Sequence, residues 1–104
     1  MAITITGLHH ITLTVTNIER SREFYTQLLG FQKLMDLGPT RTLLGNGTTV
    51  LALTLPSDAS MPAPANDRFH ENRVGLDHVS FTVGSRHELD AAVRLFDEHG
   101  VQHG

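Results

Sequence analysis

The stretch LHHITLTV, residues 8–15, opens with two adjacent histidines and then alternates, with Ile11, Leu13 and Val15 set against His10, Thr12 and Thr14. A period of two marks a strand whose faces meet different surroundings. Further along, LDHVSFTV, residues 76–83, aligns with it without a gap: Leu8 with Leu76, His10 with His78, Thr14 with Thr82, Val15 with Val83. The pairs between them keep their character, Ile11 with Val79, Thr12 with Ser80 and Leu13 with Phe81. Two strands of one pattern in one chain point to a structural duplication.

The residues after each stretch extend the repeat. Thr16 with Glu19, and Ser85 with Glu88, have the spacing of a capping box, in which hydroxyl and carboxylate reciprocally satisfy backbone N–H groups at a helix start. Ile18, Tyr25, Leu28 and Leu29 then supply an apolar stripe ending at Gly30, and Leu89, Ala92, Val93 and Phe96 supply another ending at Gly100. A glycine there suits the left-handed residue that closes a helix. Within the first copy, strands are expected over 31–37, 41–45 and 48–55, the first two divided by Gly38-Pro39. Asn46-Gly47 suits a two-residue type I′ hairpin between the last two. The chain therefore reads as α+β: a βαβββ module over 1–55, a loop over 56–74 holding three of the four prolines, and the strand and helix of a second module over 75–104.

Composition narrows the chemistry. The 104 residues fit one small folded domain, with 39% hydrophobic and 18% charged residues. A net charge of −3 and a pI near 6.1, with eight scattered Lys and Arg, leave no basic stripe for nucleic acid. No apolar run approaches a membrane span and the N-terminus lacks a signal-peptide pattern, so a cytoplasmic protein is expected. There is no cysteine, which excludes disulfides, thiolate ligands and a Cys nucleophile. A bound metal must rely on His, Asp or Glu.

Seven histidines remain. His10 and His78 occupy matched positions, each at the head of a face that continues with small hydroxyl side chains, Thr12 and Thr14 in one copy and Ser80 and Thr82 in the other. If the two copies turn those faces into one cavity, neutral imidazoles at 10 and 78 can converge on a divalent cation such as zinc, iron, manganese or nickel. Alternation puts His9 on the opposite face. His70 in the loop, His87 and His99 at helix ends and His103 near the terminus read as solvated, with His99 favoured by the negative end of its helix. Arg41 could meet an anionic substrate, although a solvated arginine is the commoner use of that residue.

The residues HHITLTVTNIERSREFYTQLLGF, the Asn46-Gly47 turn and the reopening GLDHVSFTV together resemble the vicinal oxygen chelate superfamily of glyoxalase I, bleomycin and fosfomycin resistance proteins and extradiol dioxygenases. That resemblance implies paired βαβββ modules forming a cupped mixed sheet around a metal. It also implies His10 and His78 as ligands, Thr12, Thr14, Ala52, Ser80 and Thr82 as pocket lining, a small substrate chelating through two neighbouring oxygens, and a homodimer. Glyoxalase I-like members bring a glutamate where Ala52 stands, so the resemblance favours a site of two histidines and one carboxylate over a four-ligand one. It implies three further strands after 104, the last carrying that carboxylate, so a truncated chain or completion by a partner is expected. A metal-free binding module of the bleomycin-resistance kind, or an inactive fragment, is the competing expectation.

Overall fold

Leu51 and Leu53, both almost wholly buried, mark the middle of a sheet whose order follows from what each strand must cover. The computed structural model describes residues 1–57 and 67–104, and the chain divides into two units, Met1–Pro62 and Ala63–Gly104. In the first unit the elements run β1 (Ile11–Thr14), α1 (Ile18–Glu23), a π-helical turn (Phe24–Leu28), β2 (Gln32–Asp36), β3 (Arg41–Gly45) and β4 (Val50–Thr54). They form a mixed, open sheet in the order β1-β4-β3-β2, with β1 parallel to β4 and the other pairs antiparallel. The α+β class and the βαβββ order are those the sequence implies.

Register assigns the two faces. Ile11 lies beside Leu51 and Leu13 beside Leu53, while on the other side of β4 Leu51 meets Leu44 and Leu53 meets Thr42. This face forms the core, with Phe31, Leu44, Leu51 and Leu53 buried and Val15, Ile18, Tyr25 and Leu29 packed against them. Each fully buried leucine there contributes about 1.5–3 kcal/mol by leaving water. At the outer strand a bulge between Lys33 and Met35 sets Leu34 over Gly45, where an added Cβ would meet the Leu34 side chain at 3.0 Å. Glycine at 45 admits that contact.

The helix departs from its expected form at both ends. Its N-cap is Asn17 rather than Thr16: the Asn17 carbonyl accepts from Ser21 N–H at 3.1 Å and its Oδ1 accepts from Arg20 N–H at 3.0 Å. A side-chain amide one residue nearer the first turn displaces the Thr16-Glu19 box. After six α-helical residues the coil widens, and the Thr26 hydroxyl donates to the Arg22 carbonyl at 2.8 Å. Gly30, at φ 74°, closes the helix as expected, with Phe31 N–H donating to the Tyr25 carbonyl at 3.1 Å.

The turn between β3 and β4 is also longer than a two-residue hairpin. Pairing ends at Gly45 with Val50, leaving a four-residue loop, Asn46 to Thr49, in which Gly47 has φ 91°. Asn46 Oδ1 accepts from the backbone N–H groups of Thr48 and Thr49 and from the Thr48 hydroxyl, at 2.8–3.0 Å. One side chain thus does the work of a tighter backbone turn, and β4 starts at residue 50 instead of 48.

In the second unit, the expected strand over 76–83 is absent among the described residues: the stretch joins no ladder, and Leu76, Val79 and Val83 are exposed. Alternation supplies unlike faces but not the neighbour that satisfies backbone N–H and C=O groups. The helix does form, α2 (Arg86–Glu98), with Ser85 as N-cap: its Oγ accepts from Glu88 N–H at 3.2 Å, and Glu88 Oε2 accepts from Gly84 N–H at 2.7 Å. It ends at Gly100, φ 68°, where Val101 N–H donates to the Phe96 carbonyl at 2.8 Å. That reversal brings His103 back to Asp97, Nε2 to Oδ1 at 2.7 Å, so His103 is exposed, as expected, but has a partner. Of the 56–74 loop, residues 58–66 lie outside the described residues.

Candidate functional site

The face of the first unit's sheet away from α1 carries the candidate pocket residues together. Thr12 lies beside Ala52, Ala52 beside Leu43, Thr14 beside Thr54, and Thr54 beside Arg41. Thr12, Thr14 and Arg41 are exposed, so their polar groups face an open surface, and Ala52 between them is buried and offers no ligand. Where β1 and β4 begin, a cleft of about 250 Å³ lies between Leu8, His9, His10 and Ile11 on one side and Thr48, Thr49 and Val50 on the other.

His10 sits in that cleft, and its neighbour is placed differently from the strand expectation. His9 Nδ1 lies 2.8 Å from His10 Nδ1, with the rings edge to face and their centroids 5.0 Å apart. The ladder begins at Ile11, so residues 9 and 10 escape the alternation that would send them to opposite faces. In the second unit His78, Ser80 and Thr82 lie exposed on the unpaired stretch, and His78 Nδ1 is 2.7 Å from Asp77 Oδ1. The sequence reading missed His9 and Asp77 as companions of the two histidines. The signal was present, because each directly precedes the histidine at matched positions of the repeat.

The other histidines serve locally. His70 Nδ1 accepts from Asn72 N–H at 3.0 Å within its own turn, and His99 Nδ1 meets the Leu95 carbonyl at 2.9 Å at the negative end of α2. Burial pushes the Tyr25 hydroxyl above its ordinary pKa, and its ring stands edge-on to Phe31 in the core, away from the hydroxyl face.

Among the described residues no group of three or more His, Asp or Glu side chains forms a metal cage. The donor chemistry at 10 and 78 nonetheless suits a divalent transition metal: each imidazole is engaged through Nδ1, and neither Nε2 has a hydrogen-bond partner among the described residues. A ligating histidine ordinarily binds its metal through one ring nitrogen while the other donates to an acceptor.

The sequence profile described as "Glyoxalase/Bleomycin resistance protein/Dioxygenase superfamily" matches residues 7–103. The chain belongs to that superfamily. It is 33% identical over 102 residues to the uncharacterized protein YwkD of Bacillus subtilis, covering 92% of this chain and 73% of YwkD. It is 28% identical over 99 residues to the catechol-2,3-dioxygenase of Bacillus subtilis, covering 95% of this chain but only 33% of that protein. Among solved structures, a glyoxylase/bleomycin resistance protein/dioxygenase domain from Frankia sp. EAN1pec superposes with a TM-score of 0.70 at 29% identity, over 93% of this chain and 76% of that one. No helix among the described residues is long and apolar enough to cross a membrane.

Proposed function

We propose that this protein is a metal-dependent enzyme acting on a small substrate that offers two neighbouring oxygens to the metal. His10 and His78 are its imidazole ligands, and a carboxylate from outside the described residues completes the set. The observation that carries this reading is His10 in the cleft just before β1, the strand that bears Thr12 and Thr14, in a superfamily chain that repeats the same histidine at 78. Similarity to a catechol dioxygenase supports the choice of substrate class, because catechol itself carries two adjacent oxygens. Ala52, small and without a donor, supports a site of two histidines and one carboxylate rather than four ligands.

When bound, the metal supplies Lewis acidity that stabilises negative charge on a chelating oxygen, or, as redox-active iron, access to dioxygen chemistry. The chain's own side chains hold and orient the substrate. Thr12 and Thr14, with Ser80 and Thr82 from the second copy of the pattern, offer hydroxyls as donors or acceptors to substrate oxygens. Arg41 offers a cation to an anionic group. The reading carries with it a cytoplasmic location and a homodimer, which light scattering on the purified protein would check.

Metal content decides the reading. Protein purified without chelators is expected to carry a transition metal, and His10→Ala or His78→Ala to lower that content at least tenfold; catechol added to the cobalt-loaded protein should shift its visible spectrum. A wild-type protein holding only a small fraction of an equivalent, unchanged by either substitution, would overturn it and favour a metal-free binding module.

A further inference from the structure

Two chemically unlike side chains make the same contact on the same atom at matched positions of the repeat. His9 reaches Nδ1 of His10 at 2.8 Å, and Asp77 reaches Nδ1 of His78 at 2.7 Å. In a regular strand neither could do so, because neighbouring side chains leave on opposite faces. Here His9 and His10 precede the ladder that starts at Ile11, and Asp77 and His78 belong to no ladder, which lets each preceding residue turn back onto its histidine. We infer that His9 and Asp77 are positioning residues that fix His10 and His78 in the tautomer with the proton on Nδ1, leaving the Nε2 lone pair as the outward donor.

The chemistry of each contact follows from its acceptor. Asp77, as a carboxylate, can only accept, so His78 must donate from Nδ1. Between the two imidazole nitrogens one must carry the proton, and the inference assigns it to His10, with His9 accepting through Nδ1 and keeping its own proton on Nε2. The two outer partners then differ in strength: a charged acceptor makes a shorter, stronger bond than a neutral one. The value of this arrangement for catalysis rests on the metal reading above, but the tautomers themselves exist in the metal-free protein.

The test is made on the full chain without metal, by two-bond proton–nitrogen NMR of the imidazoles, and then with zinc by calorimetry. Wild-type His10 and His78 are expected as the Nδ1–H tautomer. His9→Phe should release only His10, and Asp77→Ala only His78, to the Nε2–H form that a free imidazole prefers. Zinc affinity should fall about 10–100-fold for each. His9→Gln and Asp77→Asn, which keep a carbonyl acceptor, should restore most of both effects, which a general loss of folding would not. The inference is overturned if either ring keeps its tautomer after its neighbour is removed, or if the tautomer changes and zinc affinity does not. If the wild type takes up no zinc, the metal reading fails and the tautomer spectra alone decide the inference.

Discussion

Residues 8–15 and 76–83 carry one pattern and meet different fates. In the first, Ile11 to Thr14 pair with β4, and Ile11 and Leu13 are half-buried against the core. In the second, the equivalent residues join no ladder among the described residues, and Val79 and Val83 remain 40% and 46% exposed. The helices repeat part of the contrast: Ile18, Tyr25 and Leu29 pack on the sheet, whereas α2 leaves Leu89 and Val93 exposed. Alternation therefore specifies which face a stretch would bury, and the neighbouring strand decides whether it does. Ordering a strand costs about 1–2 kcal/mol per residue in backbone entropy, which ladder hydrogen bonds and buried apolar area must offset. β4 provides both for β1. Helix α2 is less dependent on a neighbour because its hydrogen bonds are internal and its caps are complete.

The sharpest way to break this comparison is to truncate matching apolar faces. Leu53→Ala removes a wholly buried side chain at the centre of the sheet and should cost about 2–5 kcal/mol of stability in urea unfolding. Val83→Ala, at an exposed position, should cost under about 0.5 kcal/mol. Equal losses would mean that Val83 is buried in solution as Leu53 is.

The two caps give a smaller and more local contrast. Asn17→Ala and Ser85→Ala each remove an acceptor for the third backbone N–H of a helix, worth about 1 kcal/mol. Because α1 is packed on the core of its own unit, Asn17→Ala should lower the unfolding midpoint of the sheet. Ser85→Ala should speed amide exchange across 86–98 while β4 keeps its protection. Uniform loss of protection in both units after either substitution would show that they unfold together.

These residues also mark how much was legible in sequence. The element order of the first unit, the cap at Ser85, the glycine ends at 30 and 100 and the hydroxyl face of β1 follow from spacing and side-chain chemistry alone. The cap at Asn17 was hidden because Thr16 has a competing box, and only the path of the chain decides which acceptor reaches the first turn. The four-residue loop was hidden because Asn46-Gly47 suits a tighter turn equally well, and the choice falls to hydrogen bonds from Thr48 and Thr49. Ala52 on the Thr12 face was legible from period two, confirmed by its register with Thr12. The companionship of His9 with His10 was not, because alternation holds only where a ladder exists, and where a ladder stops is a property of two segments rather than one.

Acid and base should act on the two units from opposite sides, with the smallest effects of all. In the first unit the Lys33 ammonium, hydrogen-bonded at 3.1 Å, lowers the Asp36 pKa, aided by the Thr42 hydroxyl and by Arg22. The stabilisation this gives is present above the unfolded value of 3.8 and is lost as pH falls below it through the depressed folded pKa. In the second unit Asp97, with the Gly104 carbonyl, raises the His103 pKa. Its stabilisation is complete below the unfolded value of 6.5 and is lost as pH rises through the elevated folded pKa. Both groups are solvent-accessible, so each effect is small and screened by salt. Residue-resolved amide exchange should show β2 loosening as pH falls and the turn at Gly100 loosening as pH rises. Asp36→Asn should abolish only the first response and His103→Gln only the second; a single midpoint shared by both sites would mean that one group governs the two units together.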